Sequence, residues 1–281
     1  MAETAQIELL PAAKVAQQTP LHQALNGICF TSFSDTKLDP AELEQVVNAI
    51  PTAIAKALSH RGYYFVPLTI HEGDDADLAI PDSGETLVAD GYSTELSDRA
   101  ICHRNVKVGS SECTFISTRL MREKFALAFE LFINVGHHFV DAVGVPKDFA
   151  TLAWSQAETN VRGETSQDAW ENRRRAIEGA DVNIDEVPID TEATSLAESP
   201  VKKKPVDEKA KLVFLEAAFS DSLAIYMLSL ALDFDYADLR EREYPLLGAS
   251  ALAERLRHVA HLFPPNPGYE FQIRYRRRGL S

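Results

Sequence analysis

Cysteine is scarce in this chain: Cys29, Cys102 and Cys113 are the three among 281 residues. An odd number cannot all pair within one chain. The opening residues, MAETAQIELLPAAKVAQQ, also lack the basic start and continuous apolar run of a secretory signal. Both observations point to a reducing, cytoplasmic setting with free thiols. The short motifs of common catalysts are missing too. No Gly-x-Ser-x-Gly elbow, phosphate-binding P-loop, dinucleotide fingerprint or Cys-x-x-Cys pair occurs. Cys102 and His103 adjoin, but neighbours on a regular strand point to opposite faces and do not act as a nucleophile and its base. Positive charge is likewise in short supply. Lys and Arg number 28 against 42 Asp and Glu, a net charge of −14. That sign opposes broad association with nucleic acid or an anionic membrane surface.

With 45% hydrophobic residues, the chain has enough apolar side chain for a sizeable core. The pattern predicts an α+β fold: a small, mostly antiparallel sheet packed against two long apolar helices, with further amphipathic helices. Asp39-Pro40 opens a helix with apolar positions Leu43, Val46, Val47, Ile50, Ile54 and Leu58, which Pro51 kinks or divides. Residues 63–66 and 86–89 read as strands, and 100–108 with 113–118 as a hairpin turning at Gly109. Residues 269–276 alternate with period two, which predicts a C-terminal strand. Four parts are expected along the chain. Residues 1–20 read as a mobile arm, 21–164 as the first part of a single domain, 165–205 as a partly disordered acidic linker or insertion, and 206–281 as the rest of that domain.

The two long apolar helices carry the interest. Residues 125–143, FALAFELFINVGHHFVDAV, confine their polar side chains to Glu130, Asn134, His137, His138 and Asp141. This is a stripe about 100° wide on a helix turning about 100° per residue. Residues 212–232 are long enough to cross a bilayer, but Glu216 and Asp221 are costly in lipid, so this reads as a core helix and not a membrane span. In a later helix Leu252, Leu256, Val259 and Phe263 share one face, and Arg255, Arg257, His258 and His261 are assigned to a solvated one.

One segment resembles part of a known family. Residues 122–131, REKFALAFEL, resemble the apolar lead-in to the active helix of ImmA/IrrE-type metallopeptidases, with Glu130 at the general-base position of a His-Glu-x-x-His motif. Phe129 and Ile133 stand where its histidines belong, so the zinc ligands do not carry over. Ten residues assign no family.

The sequence therefore supports a non-catalytic interaction or structural protein, meeting a protein partner or a second copy of itself. The alternative is a metal-dependent hydrolase, with His137, Asp141 and Glu216 holding a divalent metal and Glu130 as base. It requires the two long helices to turn their carboxylates toward the histidines. A third reading, contact with nucleic acid, rests on Arg274 and the run Arg276-Arg277-Arg278 and works against the overall charge.

Overall fold

The computed structural model describes residues 7–71, 85–121, 123–179, 205–239 and 244–273. Strand β1 (Leu9–Pro11), helix α1 (Ala12–Gln18) and strands β2 (His22–Gln23) and β3 (Cys29–Ser32) come first. Helices α2 (Pro40–Asn48) and α3 (Thr52–Ala57) follow, then strands β4 (Arg61–Val66), β5 (Leu68–His71) and β6 (Thr86–Ala89). Helix α4 (Thr94–Ser97) leads to β7 (Ala100–Ile101) and the hairpin of β8 (His103–Val108) and β9 (Ser111–Ser117). The helical part comprises α5 (Lys124–Val143), α6 (Lys147–Glu158), α7 (Gln167–Glu178), α8 (Glu208–Ala231), a 3-10 turn (Tyr236–Leu239) and α9 (Ala249–Leu262).

The α+β class holds, with two sheets. One is antiparallel, in the order β1-β6-β5-β7; the other is mixed, in the order β2-β3-β4-β9-β8, with β3, β4 and β9 parallel. Pro67 separates β4 from β5, so one stretch of chain passes from the mixed sheet into the antiparallel one. Ser117 ties the junction: its hydroxyl donates to Ile101 O and accepts from Thr69 N at 2.7 Å.

Strand β4 explains the layering. Its residues from Gly62 to Val66 are all buried, as expected of a parallel strand covered on both faces. Tyr63 and Phe65 enter the main core with the helices. Tyr64 and Val66 enter a second cluster with Leu10, Ala12, Val15, Val88 and Phe115. That second face corrects the expected N-terminal arm. Residues 9–18 form β1, paired with β6, and α1, whose Ala12 and Val15 cover the sheet. Three or four apolar residues suffice there because the face they cover is small, which composition alone does not reveal.

From Ala218 to Leu228 helix α8 is buried on every side, as a central helix must be. It passes a length and composition test for a membrane span, yet most of its surface lies inside the fold, against α5, α6, α7 and α9. Asp207 caps its start: the carboxylate accepts from Lys209 N at 3.0 Å and Ala210 N at 3.1 Å.

At the head of the partly disordered linker, Thr165, Ser166 and Asp168 offer the cap of a short helix in the sequence, and that helix forms as α7: Ser166 caps it, and Ala169, Arg173 and Ala176 face inward, α7 lying against α8. Small residues at i and i+7 flanking an arginine made that face hard to see. The remaining linker positions, 180–204, lie outside the described residues. Residues 269–273 form no strand. Asn266 Nδ2 donates to Asn48 O and Ile50 O, Tyr269 Oη donates to Gln45 O, and Phe271 packs edge-on to Tyr226. The alternating side chains thus dock on α2 and α8 instead of a sheet edge. The arginines at 274–278 lie outside the described residues.

Candidate functional site

On α5, Glu130, Asn134 and His138 follow one another at i, i+4 and i+8, and this row meets the mixed sheet. From β8 come His103 and Asn105, two residues apart and so on one face. Thr114 stands opposite Asn105 in the β8–β9 register, and Tyr63 reaches across from β4. The hydrogen bonds form two chains. Thr114 Oγ1 donates to Asn105 Oδ1 at 2.7 Å, and His138 Nε2 lies 3.2 Å from the same oxygen. With that oxygen as acceptor, Nε2 carries the proton, and Nδ1 accepts from Tyr63 Oη at 3.1 Å. Separately, His103 Nδ1 pairs with Glu130 Oε1, and Asn134 Nδ2 donates to Glu130 O at 2.9 Å.

Burial sets the protonation of the buried chain. His138 is 3% exposed, and its pKa falls to about 3, first from desolvation and then from the Arg61 guanidinium and neighbouring histidines. The imidazole is therefore neutral, as the donor and acceptor roles require. Burial also raises the Tyr63 phenol, which keeps its proton for His138. At the open end, partial burial of the Cys102 thiol and then the Glu130 carboxylate push that thiol up, the opposite of nucleophile activation.

The stripe's other members have a different fate. His137 and Asp141 are exposed on α5, and Glu216 is exposed on α8. Among the described residues, no group of three His, Cys, Asp or Glu side chains stands ready for a metal ion. The two long helices do pack together, but not through their carboxylates. Their close approach places Gly136 against the backbone of Ser220, and Glu216 is left on the outside. The expected ligand set of His137, Asp141 and Glu216 is thus not brought together, and Glu130, the expected base, is held by His103.

Asp221 turns elsewhere, toward a polar node the sequence reading missed. Glu164 and Arg255 are fully buried and meet through two bonds, Arg255 Nη1 to Glu164 Oε2 at 2.8 Å and Nη2 to Oε1 at 3.2 Å. Arg255 Nε donates to Gln156 Oε1 at 2.8 Å. Arg173 Nη1 reaches Glu164 Oε1 at 3.3 Å and Gly163 O at 2.9 Å. Thr165 Oγ1 donates to Asp221 Oδ2 at 2.8 Å, and Tyr244 Oη to Thr165 O at 3.2 Å. Segment 162–165 is also pinned through its backbone, Glu164 N to Pro245 O and Leu247 N to Glu164 O. Gly163, at φ +74°, permits this approach; a Cβ there would stand 2.1 Å from Leu246 O.

A sequence signal for the node existed. Arg255 follows Leu252 by three residues and precedes Val259 by four, which places it within the apolar stripe of α9 and not opposite it. The adjoining Arg257 and His258 made the solvated reading attractive.

Two groups predict opposing pH effects. The folded-state pKa of His138 lies below its ordinary 6.5, so stability falls as pH drops from about 6.5 toward 3, by about 4 to 5 kcal/mol at the acid end. Asp221 is raised by burial from 3.8 to about 6, so its contribution improves as pH drops from 6 toward 4, by about 3 kcal/mol. The two partly cancel between pH 6 and 4. Urea midpoints measured across pH 3.5 to 8 should steepen on the acid side in Asp221→Asn and reverse slope in His138→Gln. Parallel profiles for parent and both variants would refute this assignment.

Comparisons with family models, with curated proteins and with solved structures found no match for this chain.

Proposed function

We propose that this protein is a non-catalytic interaction protein that acts by contact with another protein or a second copy of itself. One observation carries the reading: the imidazole and carboxylate side chains of the α5 row are engaged in joining the helix to the sheet. Glu130 is bonded to His103, and both ring nitrogens of His138 are bonded. His138 has no ring nitrogen left for a substrate, and the Glu130 carboxylate is shared with His103 across the helix–sheet seam. Exposed apolar side chains add support. Ile177 on the last turn of α7, with Val206, Leu212 and Val213 at the entry and first turns of α8, are between 38% and 61% exposed. Asp207 N bonds to Ala176 O, which holds Val206 beside the end of α7. Exposed apolar side chains standing together, as Val206 does beside the end of α7, are a feature of docking faces.

The test is turnover. The purified protein is offered ester, amide and phosphoester substrates with and without zinc, manganese or magnesium, alongside Glu130→Gln. The expected outcome is no turnover that separates parent from variant and no stoichiometric metal in protein purified without any. Hydrolysis lost in Glu130→Gln, in a variant that keeps the parent's unfolding midpoint, would sink the proposal.

A further inference from the structure

Beside Phe65, the penultimate residue of β4, lies a half-open groove of about 160 Å³. Lys37 and Leu38, which follow β3, and Met121 and Glu123, which follow β9, close it, so it sits at the carboxyl ends of the three parallel strands. This is where ligands enter open sheets with parallel strands. Its walls come from α2 (Glu42, Leu43, Val46) and the first turns of α5 (Lys124, Leu127, Ala128). We infer that this groove receives a basic peptide segment of a protein partner, with one apolar side chain of that segment seated on the floor. The inference rests on the non-catalytic reading above and gives it a place on the molecule.

Size and charge select the occupant. An apolar cavity of about 150 Å³ holds a guest the size of benzene, so this groove takes one large side chain and not an extended cofactor. The rim carries two lysines against three acids. Lys37 is paired with Asp35 at 2.9 Å, a carboxylate that Arg119 also reaches at 3.4 Å, and Lys124 is paired with Glu42 at 3.5 Å. Asp39 is occupied in capping α2 through Glu42 N at 2.9 Å. Glu123, at the N-cap position of α5, makes no capping bond and is exposed; with Arg119 and Asp35 counted, three cations around the mouth face four acids, and the net charge there is negative. The whole chain, at −14, carries the same sign. An anionic ligand would be repelled, and a basic segment would be steered in and held at the rim.

The probe is the peptide Ac-RRLRR-NH2, titrated into full-length protein and followed by the methyl NMR signals of Met121, Leu38, Leu43 and Leu127. Two controls accompany it: Ac-RRSRR-NH2, without the apolar anchor, and Ac-EELEE-NH2, with the charge reversed. Saturable shifts confined to these methyls, about five- to tenfold weaker binding by the serine peptide and by Glu123→Lys, and no binding of the acidic peptide would support the inference. Glu123 is exposed, so that exchange leaves folding intact. Equal binding of all three peptides, shifts that miss the groove, or affinity indifferent to Glu123→Lys would overturn it. None of those results touches the turnover test, so this placement can fail while the non-catalytic reading stands.

Discussion

Glu164→Gln is expected to destabilise the protein by about 3 to 5 kcal/mol, the usual cost of removing one partner from a buried ion pair. The substitution changes almost no volume, so the loss isolates charge. Glu164 is fully buried and accepts from both Arg255 and Arg173, whose side chains are 0% and 4% exposed. Without the carboxylate both guanidiniums stay in the interior, and Asp221 becomes the nearby acid. Its pKa should then fall from about 6, because two unpaired cations favour its charged form. Urea unfolding at pH 7.5 measures the loss. Combining Glu164→Met with Arg255→Met should cost less than the sum of the two singles, since it removes both ends of the strongest bond. A loss under about 1 kcal/mol for Glu164→Gln would mean that water already compensates the arginines.

Gly136→Ala carries the second large effect, and its sign is diagnostic. In an ordinary helix interior the exchange stabilises by about 0.5 to 1 kcal/mol, because glycine loses more backbone freedom on folding. Here the added carbon would stand 2.6 Å from Ser220 O and 3.3 Å from Ser220 C, both backbone atoms of α8. No side-chain rotation relieves that contact, so the helices must separate, and overpacking of this kind costs about 1 to 3 kcal/mol. Separation also loosens the side chains around the crossing, so the unfavourable term wins. The expected result is a net loss of about 1 to 2 kcal/mol for alanine and a larger one for valine, read from urea midpoints. A stabilised alanine variant would show that the close approach is not needed.

Much of the local structure was legible because its causes are local. Asp39 caps α2 where expected, Pro51 divides α2 from α3, Gly109 turns the hairpin at φ +62°, and Asp207 starts α8. Each depends on one or two residues acting on their own backbone. What was lost depended on distant partners. Residues 9–18 look like an arm until β4 requires a cover for Tyr64 and Val66. Residues 269–273 look like a strand until α2 offers the Gln45 carbonyl to Tyr269 and α8 offers Tyr226 to Phe271. Arg255 looks solvated until Glu164, 91 residues away, meets it in the interior.

The α5 stripe marks the division between the two levels. Sequence by itself determined that α5 is a buried helix whose polar groups lie along one narrow side, since periodicity is a property of the helix alone. It also determined the acidic charge that any partner must meet. Only the tertiary structure decided what that side faces. The two helices α5 and α8 touch through Gly136 and Ser220, and Glu216 is exposed and joins no cluster of metal-ligating side chains among the described residues. Because β8 lies over the stripe, Glu130 and His138 find His103 and Asn105 as partners. A desolvated polar group takes whichever partner the packing supplies, and packing is decided by how much apolar surface the whole chain can bury together.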